Sequence, residues 1–145
     1  MDRTAVITGG AQGIGLGIVR HLLEDRWRVA ALDIDDEALD ELYELSTMFP
    51  DSPLLPLWTD VSNENDVKRM INTIINEFGK IDVLVNNAGI AIDTPFEDRK
   101  IEDWQDTLNT NLVGVFLVSK YAGEQMMKAK SGKIINISST NGLDT

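Results

Sequence analysis

The stretch Thr8-Gly9-Gly10-Ala11-Gln12-Gly13-Ile14-Gly15 constrains this chain more than any other. It follows a short apolar run, Ala5-Val6-Ile7, that reads as a buried strand. It leads into Ile14, Ile18 and Leu22, with Val19 and Leu23 beside them, at helical spacing. Gly9, Gly13 and Gly15 therefore stand at a strand-to-helix turn. Such a turn needs backbone angles that glycine adopts at low cost, and a missing side chain lets a phosphate reach the main chain. The helix that starts there aims unpaired N–H groups and the positive end of its dipole at that phosphate.

A glycine trio alone is weak evidence. The fuller pattern also needs an acid about 20 residues further on, after a second strand. Asp33 meets that condition at the end of the apolar run Arg28-Val29-Ala30-Ala31-Leu32. The loop and the acid together imply a dinucleotide site, with Gly9, Gln12, Gly13, Ile14 and Gly15 around the phosphates and Asp33 and Ile34 at a ribose.

The rest of the chain alternates strand-like and helix-like patterns. Asp35-Asp36 can cap a helix carrying Leu39, Leu42 and Leu45, which Pro50 and Pro53 close. A third strand lies within residues 54–61, ending near Thr59 and Asp60. Residues 62–65 open a helix whose Val67, Met70, Ile71, Ile74, Ile75 and Phe78 share one face, and Gly79 ends it. Ile81-Asp82-Val83-Leu84-Val85 is a fourth strand, running into Asn86-Asn87-Ala88-Gly89. A long helix is expected over residues 102–128, with Ile101, Trp104 and Leu108 on one face of its start. Residues 112–118 are apolar almost all round, so cover on most sides is expected. Lys133-Ile134-Ile135-Asn136-Ile137 is a fifth strand, and Ser138-Ser139 leaves it. Strands alternating with helices call for parallel pairing and right-handed crossovers. The expectation is one α/β domain over residues 1–145, a doubly wound parallel sheet of the Rossmann kind with strand order 3-2-1-4-5. Its sites would lie at the strand carboxyl ends.

A net charge of −11 opposes nucleic acid and anionic membrane as partners, and no Lys/Arg cluster offers an exception. The absence of cysteine excludes disulfides, thiol catalysis and thiolate metal sites. His21 is the only histidine and reads as a surface helix residue, so no metal site is expected. Neither a leader pattern nor a spanning apolar stretch is present, and a cytoplasmic protein is expected.

Taken in order, these residues resemble the short-chain dehydrogenase/reductase family along the whole chain. Residues 8–15 resemble its TGxxxGxG loop, Asp60-Val61 the pair that contacts adenine, and Asn86-Asn87-Ala88-Gly89 its NNAG. Asn87, Ala88 and Gly89 would then line the cofactor site. Asn111 matches the asparagine of the catalytic helix and Ser139 the catalytic serine. By position alone, Asn111 is a helix asparagine that bonds a nearby carbonyl, Ser139 a strand-end turn residue and Asp60 a cap. The resemblance implies hydride transfer between NAD and an alcohol or ketone, a 3-oxoacyl, sugar or polyol-like compound, in a homodimer or homotetramer. It also implies a Tyr-x-x-x-Lys pair that moves the proton. The tyrosines here, Tyr43 and Tyr121, are followed four residues later by Thr47 and Gln125, so these residues contain no such pair. The expectation is a domain truncated after its fifth strand and inactive by itself. A non-catalytic nucleotide-binding module and a fragment without a stable fold are the competing readings.

Overall fold

The apolar run at the amino terminus forms β1 (Thr4–Thr8), in which every residue is buried. In the computed structural model, which describes residues 3–139, the chain continues through α1 (Gly13–Glu24), β2 (Arg28–Asp33), α2 (Asp36–Ser46), β3 (Leu54–Trp58), α3 (Glu64–Phe78) and β4 (Val83–Asn86). A short 3₁₀ turn, Phe96–Asp98, precedes α4 (Ile101–Leu108). A π-helical turn, Asn109–Gly114, joins α4 to α5 (Val115–Ala129), and β5 (Lys133–Asn136) follows. Residues 140–145, expected to form a loop after Ser139, lie outside the described part.

The five strands form one parallel sheet in the order β3-β2-β1-β4-β5, as the sequence pattern implies. Side chains alternate across it. Ala5, Ile7, Val29 and Ala31 pack with Val19, Leu23, Leu39 and Leu42 of α1 and α2. Val6, Ala30, Leu32 and Leu84 pack with Val67, Ile71, Ile74, Val118 and Ala122 of α3 and α5. Helices thus cover both faces, which is the doubly wound arrangement, and its strand order reverses between β1 and β4. No described helix is long and apolar enough to cross a membrane.

Local chemistry explains the element boundaries. Asn63 caps α3 by accepting from Asn65 and Asp66 N–H, and Gly79 ends that helix with φ +79°. α2 stops at Ser46, before the prolines, where Ser46 and Thr47 hydroxyls donate to the Tyr43 and Glu44 carbonyls. Pro56, which lacks an N–H, is tolerated because β3 is an edge strand. β4 begins two residues later than the apolar run, and Asp82 just before it ties the strand starts together: its N–H donates to the Thr4 carbonyl, its carbonyl accepts Lys133 N–H and its carboxylate accepts Thr4 N–H.

Two features depart from the sequence reading. The long helix is not uniform, because the π turn inserts at Asn109–Gly114. The apolar segment 112–118 is also only half covered. Leu117 and Val118 are buried, whereas Leu112 is 64% and Phe116 62% exposed, since no described element packs on that side. β5 is exposed along its whole length.

Candidate functional site

Thr8 ends β1 and fastens the glycine loop to the neighbouring strand. Its buried hydroxyl accepts the N–H groups of Asn87 and Ala88, both at 2.9 Å. The Asn87 amide in turn donates to the carbonyls of Thr8 (3.1 Å) and Gly9 (3.0 Å). The loop and the Asn87-Ala88-Gly89 segment therefore form one unit at the carboxyl ends of β1 and β4. Gly9 and Gly13 hold φ of +61° and +50°, a left-handed conformation that other residues adopt at a cost. A Cβ on Gly15 would lie 1.9 Å from the Gly9 carbonyl oxygen, so only glycine lets α1 close on the loop.

The first turn of α1 is left open to a ligand. Gln12 occupies the N-cap position, yet its side chain makes no capping bond. The first intrahelical donor is Leu16, so Gly13, Ile14 and Gly15 begin the helix with unpaired N–H groups. Gln12 instead donates to Asp35 Oδ2 at 2.6 Å.

A cavity of about 370 Å³ opens over this loop. Its lining contains Gly9, Gln12, Gly13, Asp33, Ile34, Asp60, Val61, Asn87, Ala88 and Gly89 from the sequence-based set, together with Leu32, Thr59, Ile90 and Thr110. Gly15 lies behind the wall, fully packed, and Ile14 turns its side chain to solvent while its N–H stays in the first turn. Asn111 and Ser139 do not line this cavity. Ser139 is exposed three residues beyond β5, whose register pairs Asn136 with Asn86.

Asp33 is bound on both oxygens. Oδ2 accepts from Ala11 N–H at 3.1 Å, and Oδ1 from Ile34 and Asp35 N–H at 2.9 and 3.3 Å. Asp60 Oδ1 accepts from the N–H and hydroxyl of Ser62, while Asn63 caps the next helix, so Asp60 orders the turn between β3 and α3. Asn111, inside the π turn, bonds the backbone of Ile90 in both directions, with Oδ1 accepting N–H at 2.8 Å and Nδ2 donating to the carbonyl at 2.9 Å. Gly114 of the same turn is packed so closely that a Cβ would sit 2.7 Å from Val61 Cγ2.

Sequence reasoning quoted Thr8 only as the start of the glycine loop and gave no role to Ser119 and Asn136. Buried Asn86 donates to Ser119 Oγ (2.9 Å) and Asn136 Oδ1 (2.8 Å), joining β4 to α5 and β5. A polar residue closing an otherwise apolar strand was the available signal for Thr8, Asn86 and Asn136.

The short chain dehydrogenase family profile matches residues 3–145. The chain belongs to the short chain dehydrogenase family. An uncharacterized oxidoreductase of Thermotoga maritima is 38% identical over 99% of this chain and 56% of its own length. A 3-oxoacyl-(acyl-carrier-protein) reductase, FabG, of Staphylococcus aureus is 37% identical over 98% of this chain and 58% of its own. Among solved structures, gox2181 superposes with a TM-score of 0.91 at 33% identity, over 98% of this chain and 55% of that one. ElxO with NADP bound gives 0.88 at 35%, over 99% and 58%. The chain thus spans a little over half the length of these short chain dehydrogenase relatives. The family uses a nicotinamide dinucleotide, and the site fits one. Open helix N–H groups, the side-chain-free approach at Gly13, and an acid at the end of β2 supply a phosphate cradle and a ribose acceptor.

Proposed function

We propose that this chain forms the cofactor-binding part of an oxidoreductase that moves a hydride between NAD(H) and a small alcohol or ketone. Asp33 carries the reading. It ends β2 on the wall of the cavity, and its Oδ1 takes the N–H groups of Ile34 and Asp35. Those are donors that a ribose phosphate would need. A carboxylate accepts hydrogen bonds from ribose hydroxyls and repels a phosphate dianion. ElxO holds NADP, so this preference rests on the turn of this chain itself.

The residues divide the work. The first turn of α1 holds the pyrophosphate by its N–H groups, with Gly13 letting it approach and Gly9 packing the loop on Asn87 and Ala88. Asp60 and Val61 border the adenine end, and Asn87, Ala88 and Gly89 form the floor. When bound, the nicotinamide supplies the hydride donor or acceptor. The Ser139 hydroxyl holds the substrate oxygen. Asn111 fixes Ile90 on the cavity wall through the paired bonds to its peptide groups. A 3-oxoacyl thioester is the first substrate to test, given the relatives named for that reaction, followed by sugars and polyols. A homodimer or homotetramer is the expected assembly.

The decisive experiment is calorimetric titration of NADH and NADPH into the wild type and Asp33→Ala. NADH should bind more than tenfold tighter to the wild type, since like charges at a binding site cost several kcal/mol. Asp33→Ala should narrow the gap by improving NADPH. Equal affinities in the wild type, or tighter NADPH, would overturn the assignment. These residues contain no Tyr-x-x-x-Lys pair, and such acid–base help is worth about 10²–10⁴-fold, so alcohol turnover should not exceed that of Ser139→Ala.

A further inference from the structure

Among the described residues the sheet ends in two edge strands, β3 and β5, and their outer sides differ. β3 pairs with β2 alone, and its inward bonds alternate: Val29 N–H donates to the Pro53 carbonyl and Thr59 N–H to the Asp33 carbonyl, each at 2.9 Å. In a parallel strand a residue turns its N–H and carbonyl to one side, and its two neighbours turn theirs to the other. Leu54, Pro56 and Trp58 therefore face outward. Pro56, at the middle, has no N–H to offer. Its carbonyl is occupied too, because the Tyr43 hydroxyl of α2 donates to it at 3.4 Å, with Tyr43 standing 56% exposed at the edge. At the strand's end the Trp58 indole N–H donates to the Ile34 carbonyl at 3.0 Å, which ties that ring to its own sheet. β5 carries no such device. Lys133 N–H donates to the Asp82 carbonyl and Ile137 N–H to the Asn86 carbonyl, so Ile134 and Asn136 face outward, each with both backbone groups. The strand is exposed along its whole length.

We propose that Tyr43 and Pro56 close the β3 edge against the β5 edge of a second copy, and so keep self-association of this chain finite. This is independent of the cofactor and of the reaction. A sheet with both edges open can take the β5 of another copy on its β3, and the product again shows one free β3 and one free β5. Such a head-to-tail contact does not close and grows into a fibre, whereas a surface that pairs with its own copy closes at a dimer. Proline by itself is merely tolerated on an edge strand. Together with the Tyr43 hydroxyl it removes both the donor and the acceptor at the centre of β3. A strand arriving there leaves its own central backbone groups without partners, which costs more than the flanking bonds return.

The test is sedimentation and light scattering of wild type, Tyr43→Phe, Pro56→Val and the double variant across a range of concentration, with circular dichroism of each. Wild type should level off at a small assembly. The double variant regains both donor and acceptor, so its weight-average mass should keep climbing, about threefold for about tenfold in concentration, as equal open-ended steps dictate. Adding Ile135→Lys, a charge on the β5 strand, should arrest that growth. If Pro56→Val unfolds the chain, Tyr43→Phe carries the test, since it alters no residue of the sheet and frees the Pro56 carbonyl. Its mass should climb as well, less steeply. A wild type that grows without limit overturns the proposal. So do folded variants that level off with wild type, and so does growth that persists after Ile135→Lys.

Discussion

Asn111 and Ile90 are joined by a complete amide pair: the Asn111 side chain satisfies both the N–H and the carbonyl of the Ile90 peptide units, at 2.8 and 2.9 Å. A π turn carries Asn111 to that contact. Such turns gather at functional sites because the inserted residue re-aims the helix face. Here the re-aimed face clasps the segment that continues the cavity floor.

Asn111→Ala should therefore loosen residues 90–95 more than the molecule as a whole. Two partly exposed bonds are worth about 1–2 kcal/mol. Amide exchange at Ile90 should accelerate, and cofactor affinity should fall with it. Unchanged exchange at Ile90 would show that the pair does not hold the loop.

Thr8→Val tests the joint between the glycine loop and β4. The swap preserves shape and leaves the Asn87 and Ala88 N–H groups without their acceptor. Unsatisfied groups cost about 1–3 kcal/mol each, so the urea midpoint should drop by several tenths molar or more. Thr8→Ser should retain most of the stability. A valine variant as stable as the serine one would refute the role of the hydroxyl.

Gly15 and Gly13 should separate steric from conformational effects. Alanine at Gly15 drives a methyl to 1.9 Å from the Gly9 carbonyl oxygen, a backbone atom that cannot step aside. The loss should be about 3 kcal/mol, with cofactor binding abolished. Alanine at Gly13 meets no atom within 4 Å and is strained only by its φ of +50°, a cost of about 1–2 kcal/mol. Thermal unfolding that ranks Gly13→Ala below Gly15→Ala would contradict this account.

Much of this was legible in the sequence because it rests on local chemistry. Alternating apolar runs gave the strands, and Asp35, Asn63 and Gly79 stand where caps are needed. The π turn was not legible. A single inserted residue leaves the apolar spacing of Leu108, Leu112 and Phe116 compatible with an ordinary helix. The choice of Asn63 over Asp60 as the α3 cap was hidden for a similar reason, since both precede the same helix. The contacts of Gln12, Asp35 and Trp58 join segments distant in sequence, and spacing carries no record of them.

Acid should expose the contribution of a surface cluster between α3 and α5. Glu64 accepts from the Tyr121 hydroxyl and pairs with Lys68 at 3.4 Å and Lys120 at 3.6 Å. The Tyr121 hydroxyl, and then Lys68, hold the Glu64 carboxyl below its ordinary 4.5. A lowered carboxyl stabilises the fold above that value, and the contribution disappears as pH falls through the folded-state value. Lys68 and Lys120 are raised above 10.5, first by the Tyr121 hydroxyl, so their share is lost as pH rises past that point. The melting temperature of Tyr121→Phe should lie below wild type at neutral pH and converge with it in strong acid. A gap that persists unchanged below the Glu64 titration would exclude this cause.

The unpartnered side of the long helix predicts association. Ile101, Trp104, Leu108, Leu112 and Phe116 advance in steps of three or four residues, and all are exposed. Ile134, Ile135 and Ile137 of the adjoining edge strand and its exit are exposed as well. Soluble monomers seldom present contiguous apolar patches beyond a few hundred Å², and an uncovered edge strand adds unpaired backbone groups to this one. Residues 1–145 by themselves should therefore self-associate at micromolar concentration, the face being one that subunit contacts or further segments of a longer chain would cover. Leu112→Asp with Phe116→Asp places two charges on the exposed side, away from buried Leu117 and Val118, so the fold should survive while association weakens. Light scattering with circular dichroism reads both quantities. A monodisperse wild-type monomer at that concentration would rule the association out. An aspartate variant that associates as strongly as wild type would move the contact away from this helix.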